Sequence, residues 1–305
     1  MNEEAKYWAK ILVPAVVAAS AVGVLQQGAI RQEAEETHSR SLGGIVDNSF
    51  GIPGTLFKSK KGSDVLVMVV AGMQGKQKDY QEVFAVPLAK DYNVYTTQLR
   101  DRGNTFSDKF PDDFRDKERE VRRAVAPNKV VYIGHSAGFS EIISAVRKHG
   151  LRPDGVYGIS PFPSVGDMRT ESPDLTKKSS AQKTCEIVDE IMPIGPFGAH
   201  LGKIPSEIPV RLAIPENDEM IHSQVKFNPF DFNGTFLPLT YKKRPEVKER
   251  FVNYFKRQGM DDIKIFSGRN HNFNYRKFDW SLFNRDNPKE LVDDAREFIR
   301  KVTRR

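Results

Sequence analysis

The sequence predicts an α/β protein: a mostly parallel, doubly wound sheet with helices on both faces. Three observations carry this reading. From about residue 55 onward, short β-branched runs alternate with longer amphipathic stretches. One run, residues 64–71 (DVLVMVVA), is apolar at every position after the aspartate, as a strand covered on both faces must be. The chain has 305 residues, 39% of them hydrophobic and 29% charged, which is enough to bury a sizeable core without a disulfide or a metal.

The elements follow in order. After strand 64–71 comes a helical stretch near residues 80–89, with Val83, Phe84, Val86 and Leu88 as its apolar side. A strand follows at 93–99 (NVYTTQL), then a charged helix at 110–125 carrying Phe114, Val121 and Val125 on one stripe. The third strand, 129–134 (KVVYIG), leads into a helix at 139–149 with Ile142, Ile143 and Val146 inward. Strands at 155–160 (GVYGIS), at 210–214 (VRLAI, after Pro209) and at 263–266 (IKIF) continue the pattern. An amphipathic helix at 288–302 closes the chain. Two insertions, 162–207 and 219–259, interrupt the rhythm and are expected to form a small cap over the carboxyl ends of the strands, where ligands of such sheets bind.

Residues 11–30 form an uncharged window between Lys10 and Arg31, and within 11–25 the only polar side chain is Ser20. Twenty helical residues span about 30 Å, the thickness of a bilayer core. The expectation is a single uncleaved anchor within residues 1–31, followed by a linker at 32–54 and the domain at 55–305. Ala19-Ser20-Ala21 also fits a signal-cleavage site, giving a secreted protein, and a helix packed on a cytoplasmic domain is a third reading. The flanking charges do not set an orientation.

A formal net charge of +7 attracts anionic partners in general. The cations are spread along the chain and no zinc-finger, RRM-like or helix-turn-helix pattern occurs, so no nucleic-acid partner is expected. A single cysteine, Cys185, excludes an intramolecular disulfide and any CxxC site. Neither a His/Asp/Glu cluster with metal-ligand spacing nor a P-loop is present, so neither metal nor nucleotide cofactor is expected.

Strand 129–134 runs into Gly134-His135-Ser136-Ala137-Gly138 and then at once into a helix. This is G-x-S-x-G in the strand–turn–helix setting it requires, with Ser136 lifted out of the sheet on a sharp turn. A serine hydroxyl is a weak nucleophile and needs a base oriented by an acid. Strand 210–214 ends in Pro215-Glu216-Asn217-Asp218, and strand 263–266 ends in Ser267-Gly268-Arg269-Asn270-His271. The order Ser136, Asp218, His271 suits this architecture. Glu216, two residues before Asp218, is the alternative acid. Of the other histidines, His135 fills the variable elbow position, His149 ends a helix, His200 and His222 fall in the insertions and His38 in the linker.

These segments resemble the α/β-hydrolase superfamily over about residues 60–302. GHSAG is similar to the nucleophile elbow, IPVRLAIPENDEMI to the strand and loop bearing the acid, and GRNHNF to the final G-x-x-H loop. VMVVAGMQG is similar to the strand and loop that supply half of the oxyanion hole, with Ala71-Gly72 where the superfamily has His-Gly, and LRDRGNTFSD is similar to its D-x-R-G stretch. The resemblance implies a serine hydrolase with catalytic Ser136, Asp218 and His271, and with backbone N–H donors at Met73 and Ala137. It implies a small-molecule carboxylic ester as substrate. The apolar stretch IMPIGPFGAHLG and the phenylalanine-rich FNPFDFNGTFLPL in the insertions favour a lipid-like acyl group. The alternatives are an acyltransferase or peptidase using the same residues, and a non-catalytic binding protein of the same fold held at a membrane.

Overall fold

The structure is a computed structural model. It describes residues 36–47, 53–72, 77–97, 110–161, 203–218, 223–227, 238–243, 245–273 and 288–304. Two compact units are distinguished, Met1–Val46 and Asp47–Arg305. The apolar segment 1–31 and most of the first insertion lie outside the described residues.

In the first unit, residues 36–41 form a helix, α1. Arg40 and Glu36 approach to 3.6 Å across one of its turns. A short strand, β1 (Ile45–Asp47), straddles the boundary. The stretch 32–54, expected as a linker, therefore holds regular structure.

In the second unit the strands are β2 (Gly54–Phe57), β3 (Val65–Val70), β4 (Asn93–Thr97), β5 (Lys129–His135), β6 (Gly155–Ile159), β7 (Val210–Pro215) and β10 (Asp262–Phe266). They lie side by side in the order β2-β4-β3-β5-β6-β7-β10. Only β2, a strand not anticipated from the sequence, runs antiparallel to its neighbour β4; every other pair is parallel. The helices are α2 (Gln77–Tyr80, a π-helical turn Gln81–Ala85, and Val86–Leu88), α3 (Phe110–Val125), α4 (Ala137–His149), α5 (Pro245–Arg257) and α6 (Lys289–Thr303). The π turn is closed by the Val86 N–H on the Gln81 carbonyl. Pro87, which can neither donate nor tolerate an α-helical carbonyl one turn back, sits just after it.

All six residues of β3 are buried, as their unbroken apolar run requires. Leu66, Met68 and Val70 join Phe114, Phe139, Ile142, Phe251 and Phe255 in one core cluster. On the opposite side of the sheet Tyr157 meets Phe298 of α6, ring centroids 5.8 Å apart. Helices thus cover both faces.

Helix α5 corrects the second insertion. Residues 219–259 were expected to belong wholly to the cap, yet Phe251, Tyr254 and Phe255 are buried in the main core, and the Phe255 ring meets Phe139 edge-on at 6.4 Å. The i, i+3, i+4 spacing of these aromatics builds a crossover helix between two parallel strands. Within the same stretch, β8 (Ser223–Phe227) and β9 (Pro238–Lys243) pair antiparallel as a separate ribbon.

Strand β3 has β4 on one side and β5 on the other, so the winding reverses direction there. The carboxyl ends of β3 and β5 border the crevice that such a reversal opens.

Candidate active site

Ser136 follows β5 directly and precedes the first residue of α4. Its backbone has φ 51° and ψ −120°, a conformation that costs about 1–3 kcal/mol for a residue with a Cβ. Two glycines make the turn sterically possible. A Cβ on Gly134 would stand 2.6 Å from the Phe139 Cα, and one on Gly138 would stand 2.5 Å from the Ala71 carbonyl oxygen. The Ser136 N–H is held by the Ile159 carbonyl at 2.8 Å, which anchors the turn to β6.

Two further strand ends bring Asp218 and His271 to the same place. The loops after β7 and β10 are tied together. The Glu216 N–H donates to the Phe266 carbonyl at 2.9 Å, the Asn217 N–H to the Arg269 carbonyl at 2.8 Å, and the Gly268 N–H to the Glu216 carboxylate at 2.9 Å. Glu216 is therefore spent on the loops and lies away from the imidazole. Asp218, 0% exposed, presents both carboxylate oxygens at 2.9 Å from His271 Nδ1. His271 Nε2 lies 3.1 Å from Ser136 Oγ. With Nδ1 against a carboxylate, the proton belongs on Nδ1, and the Nε2 lone pair faces the hydroxyl.

The loop bearing His271 is fixed on several sides. Arg269, itself buried, donates to Glu290 at 2.7 Å and to the Phe273 carbonyl at 3.0 Å. Ser160 Oγ, at the end of β6, donates to the His271 carbonyl at 2.7 Å.

Of the two expected backbone donors, Ala137 opens α4, among the amides that have no acceptor inside the helix. Met73 lies outside the described residues. Its neighbour Gly72 packs against the elbow, where an added Cβ would stand 3.1 Å from the Ser136 Cβ.

Two residues at this edge escaped the sequence reading. His135, at the variable position of the elbow, is fully enclosed, with Nδ1 2.6 Å from the Tyr80 hydroxyl and Nε2 3.3 Å from the His271 carbonyl. Tyr80 in turn accepts the Gly72 N–H at 3.0 Å. Burial, and then the neighbouring His271, push the His135 pKa down to about 3; burial raises that of Tyr80. Nothing in the sequence marks Tyr80, because these two partners come from the ends of two strands, β3 and β5. Of the remaining histidines, His149 lies 2.9 Å from Asp112, His38 falls in α1, and His200 and His222 are outside the described residues. Among the described residues no group of three or more His, Cys, Asp or Glu side chains could hold a metal ion, and no helix is long and apolar enough to cross a membrane.

No protein-family model matches the sequence, and no curated protein matches it. Solved structures do share its fold. A hormone-sensitive-lipase homologue, EstE7, from a metagenome library is 13% identical, with a TM-score of 0.56 over 88% of this chain and 93% of that one. A thermostable carboxyl esterase from Bacillus coagulans is 11% identical, with a TM-score of 0.55 over 85% and 98%. A bacterial membrane phospholipase A is 12% identical, with a TM-score of 0.50 over 98% and 99%. The sheet order, the crossover helices and these likenesses together define the α/β-hydrolase fold.

Proposed function

We propose that this protein is a serine hydrolase that cleaves a carboxylic ester through an acyl-enzyme on Ser136. The observation that carries the proposal is the unbroken chain from the buried Asp218 carboxylate through His271 to Ser136 Oγ, at 2.9 and 3.1 Å. Ser136 Oγ attacks the carbonyl carbon while its proton passes to His271 Nε2. Asp218 holds the imidazole and stabilises the imidazolium that results. The N–H groups of Ala137 and Met73 receive the oxyanion, each such donor being worth about 10²–10³-fold in rate. As the tetrahedral intermediate collapses, the bond to the alcohol oxygen breaks and His271 returns the proton to that oxygen. Water then repeats the sequence on the acyl carbon and frees Ser136. These steps call on no cofactor.

A lipid-like acyl group is the substrate class we favour. The insertion that follows β7 carries four phenylalanines in FNPFDFNGTFLPL, the one that follows β6 carries the apolar stretch IMPIGPFGAHLG, and proteins of the same fold include a hormone-sensitive-lipase homologue and a phospholipase A. An anchor in residues 11–30 would hold the domain beside such substrates.

A fluorophosphonate probe tests the core of this reading: wild-type protein labels and Ser136→Ala does not. Equal labelling of both, or none of the wild type, overturns it in favour of a non-catalytic binding protein. A chain-length series of p-nitrophenyl esters tests the substrate class, which fails if acetate is strictly preferred. Alcohol or amine acceptors added to the assay separate hydrolysis from acyl transfer.

A further inference from the structure

We propose that His135 and Tyr80 form a positioning relay that locks the loop of His271 to the strand end that precedes the oxyanion donor. The proposal rests on the serine-hydrolase reading above and adds residues that reading does not use.

The two ends of the chain, an amide that can only donate and a carbonyl that can only accept, give the hydrogen bonds between them one consistent direction. The Gly72 N–H can only donate, so the Tyr80 oxygen accepts at 3.0 Å. The accept-only His271 carbonyl at the far side of the ring calls for a donor at Nε2, so we assign the Tyr80 proton to His135 Nδ1, 2.6 Å away. His135 Nδ1 is thereby an acceptor, and a neutral imidazole must carry its proton on Nε2. That N–H points to the His271 carbonyl at 3.3 Å, an oxygen that can only accept. One ring in the elbow thus connects the end of β3 with the loop after β10. Ser160 completes the clamp from β6 through the same carbonyl.

The position of the relay matters for catalysis. Ser136 is the next residue in the chain, and the His135 and His271 ring centroids are 5.3 Å apart. A cation at His135 would oppose the imidazolium that His271 becomes. The enclosure of His135 keeps it neutral, its pKa held near 3 by burial and by His271, with the Asp218 carboxylate the opposing charge. The relay therefore supplies orientation without adding charge.

The experiment has three arms. In ¹⁵N-labelled wild-type protein, imidazole NMR should show His135 as the neutral Nε2–H tautomer from pH 5 to 8. A protonated ring at pH 5 or the Nδ1–H tautomer overturns the relay whatever the enzyme does. Tyr80→Phe, which removes only the hydroxyl, should lower kcat for p-nitrophenyl butyrate about 10–100-fold with KM nearly unchanged, a loss of the size expected for a positioning partner of a reacting group. Finally, Tyr80→Phe combined with His135→Asn should lose hardly more than the worse single variant, because both break one chain. Full additivity, or wild-type kcat in Tyr80→Phe, overturns the relay while fluorophosphonate labelling of Ser136 still reports on the hydrolase reading separately.

Discussion

Two buried aspartates in this molecule have opposite surroundings. Asp294, on α6 and 3% exposed, accepts from the Tyr157 hydroxyl at 2.7 Å, from Arg211 at 3.3 Å and from Lys264 at 2.7 Å. Arg211 also reaches Asp262 at 3.0 Å, and its guanidinium lies over the Phe298 ring. Permanent cations face this carboxylate at any ordinary pH. Asp218 is as deeply buried, but it faces an imidazole, with a hydroxyl beyond, and in the proposed reaction that imidazole gains and loses a proton. Residue type and burial are the same in the two places. The partners decide whether a buried carboxylate holds the fold together or does chemistry.

The comparison can be broken most directly at its two carboxylates and at the hydroxyl beyond Asp218. Ser136→Ala should abolish ester turnover by roughly 10⁴-fold or more, and Asp218→Asn should lower it by about 10⁴-fold, with urea midpoints close to wild type. Asp294→Ala should do the reverse: stability falls by about 3–5 kcal/mol because Arg211 and Lys264 lose a buried counter-charge, while kcat of the folded fraction stays within a few-fold. Turnover lost from fully folded Asp294→Ala would erase the distinction.

A smaller effect sharpens it. Gly138→Ala forces a methyl group towards the Ala71 and Val70 carbonyls, so stability should fall by about 1–3 kcal/mol, and turnover should fall with it because the end of β3 must shift. Asp294 offers no equivalent, since stability and turnover are separable there.

The pH dependence of stability comes next. His135 has a pKa near 3 in the folded protein against an ordinary 6.5, so the unfolded chain binds the proton first as pH falls. The stability contributed by the neutral ring is complete above about pH 6.5 and declines toward pH 3, at up to about 1.4 kcal/mol per unit. Urea titrations at pH 7, 6, 5 and 4 should show this slope in wild type and a shallower one in His135→Asn. The smallest effect belongs to the surface: Arg152→Ala breaks an exposed pair with Glu207, 3.2 Å long, and should change stability by no more than about 0.5 kcal/mol.

Much of the sheet was legible because its strands are buried on both faces. β3, β5 and β6 announce themselves as apolar β-branched runs, and the helix expected at 110–125 begins and ends where α3 does. The elbow was legible for a different reason: its glycines answer to contacts within a few residues and across one strand. What the sequence hid depends on distant partners. Asp218 and Glu216 are the same chemistry two residues apart, and their distant partners separate them: His271 stands at Asp218 and the Gly268 N–H at Glu216. Helix α5 was hidden by its place between an irregular ribbon and a strand. Tyr80 was hidden because a tyrosine in a short helix carries no mark of the histidine it will meet 55 positions later.

Four non-glycine residues among those described adopt a positive φ, and three of them, Ser136, Ser160 and Phe273, gather where β5, β6 and β10 end. An engineer seeking heat resistance would be drawn to this rim, since Ser160→Gly relaxes the backbone strain at its positive φ. That same change would remove the shorter of the two hydrogen bonds that hold the His271 carbonyl. Directed evolution for thermostability should therefore erode turnover when it touches this rim and leave turnover intact when it works around Asp294.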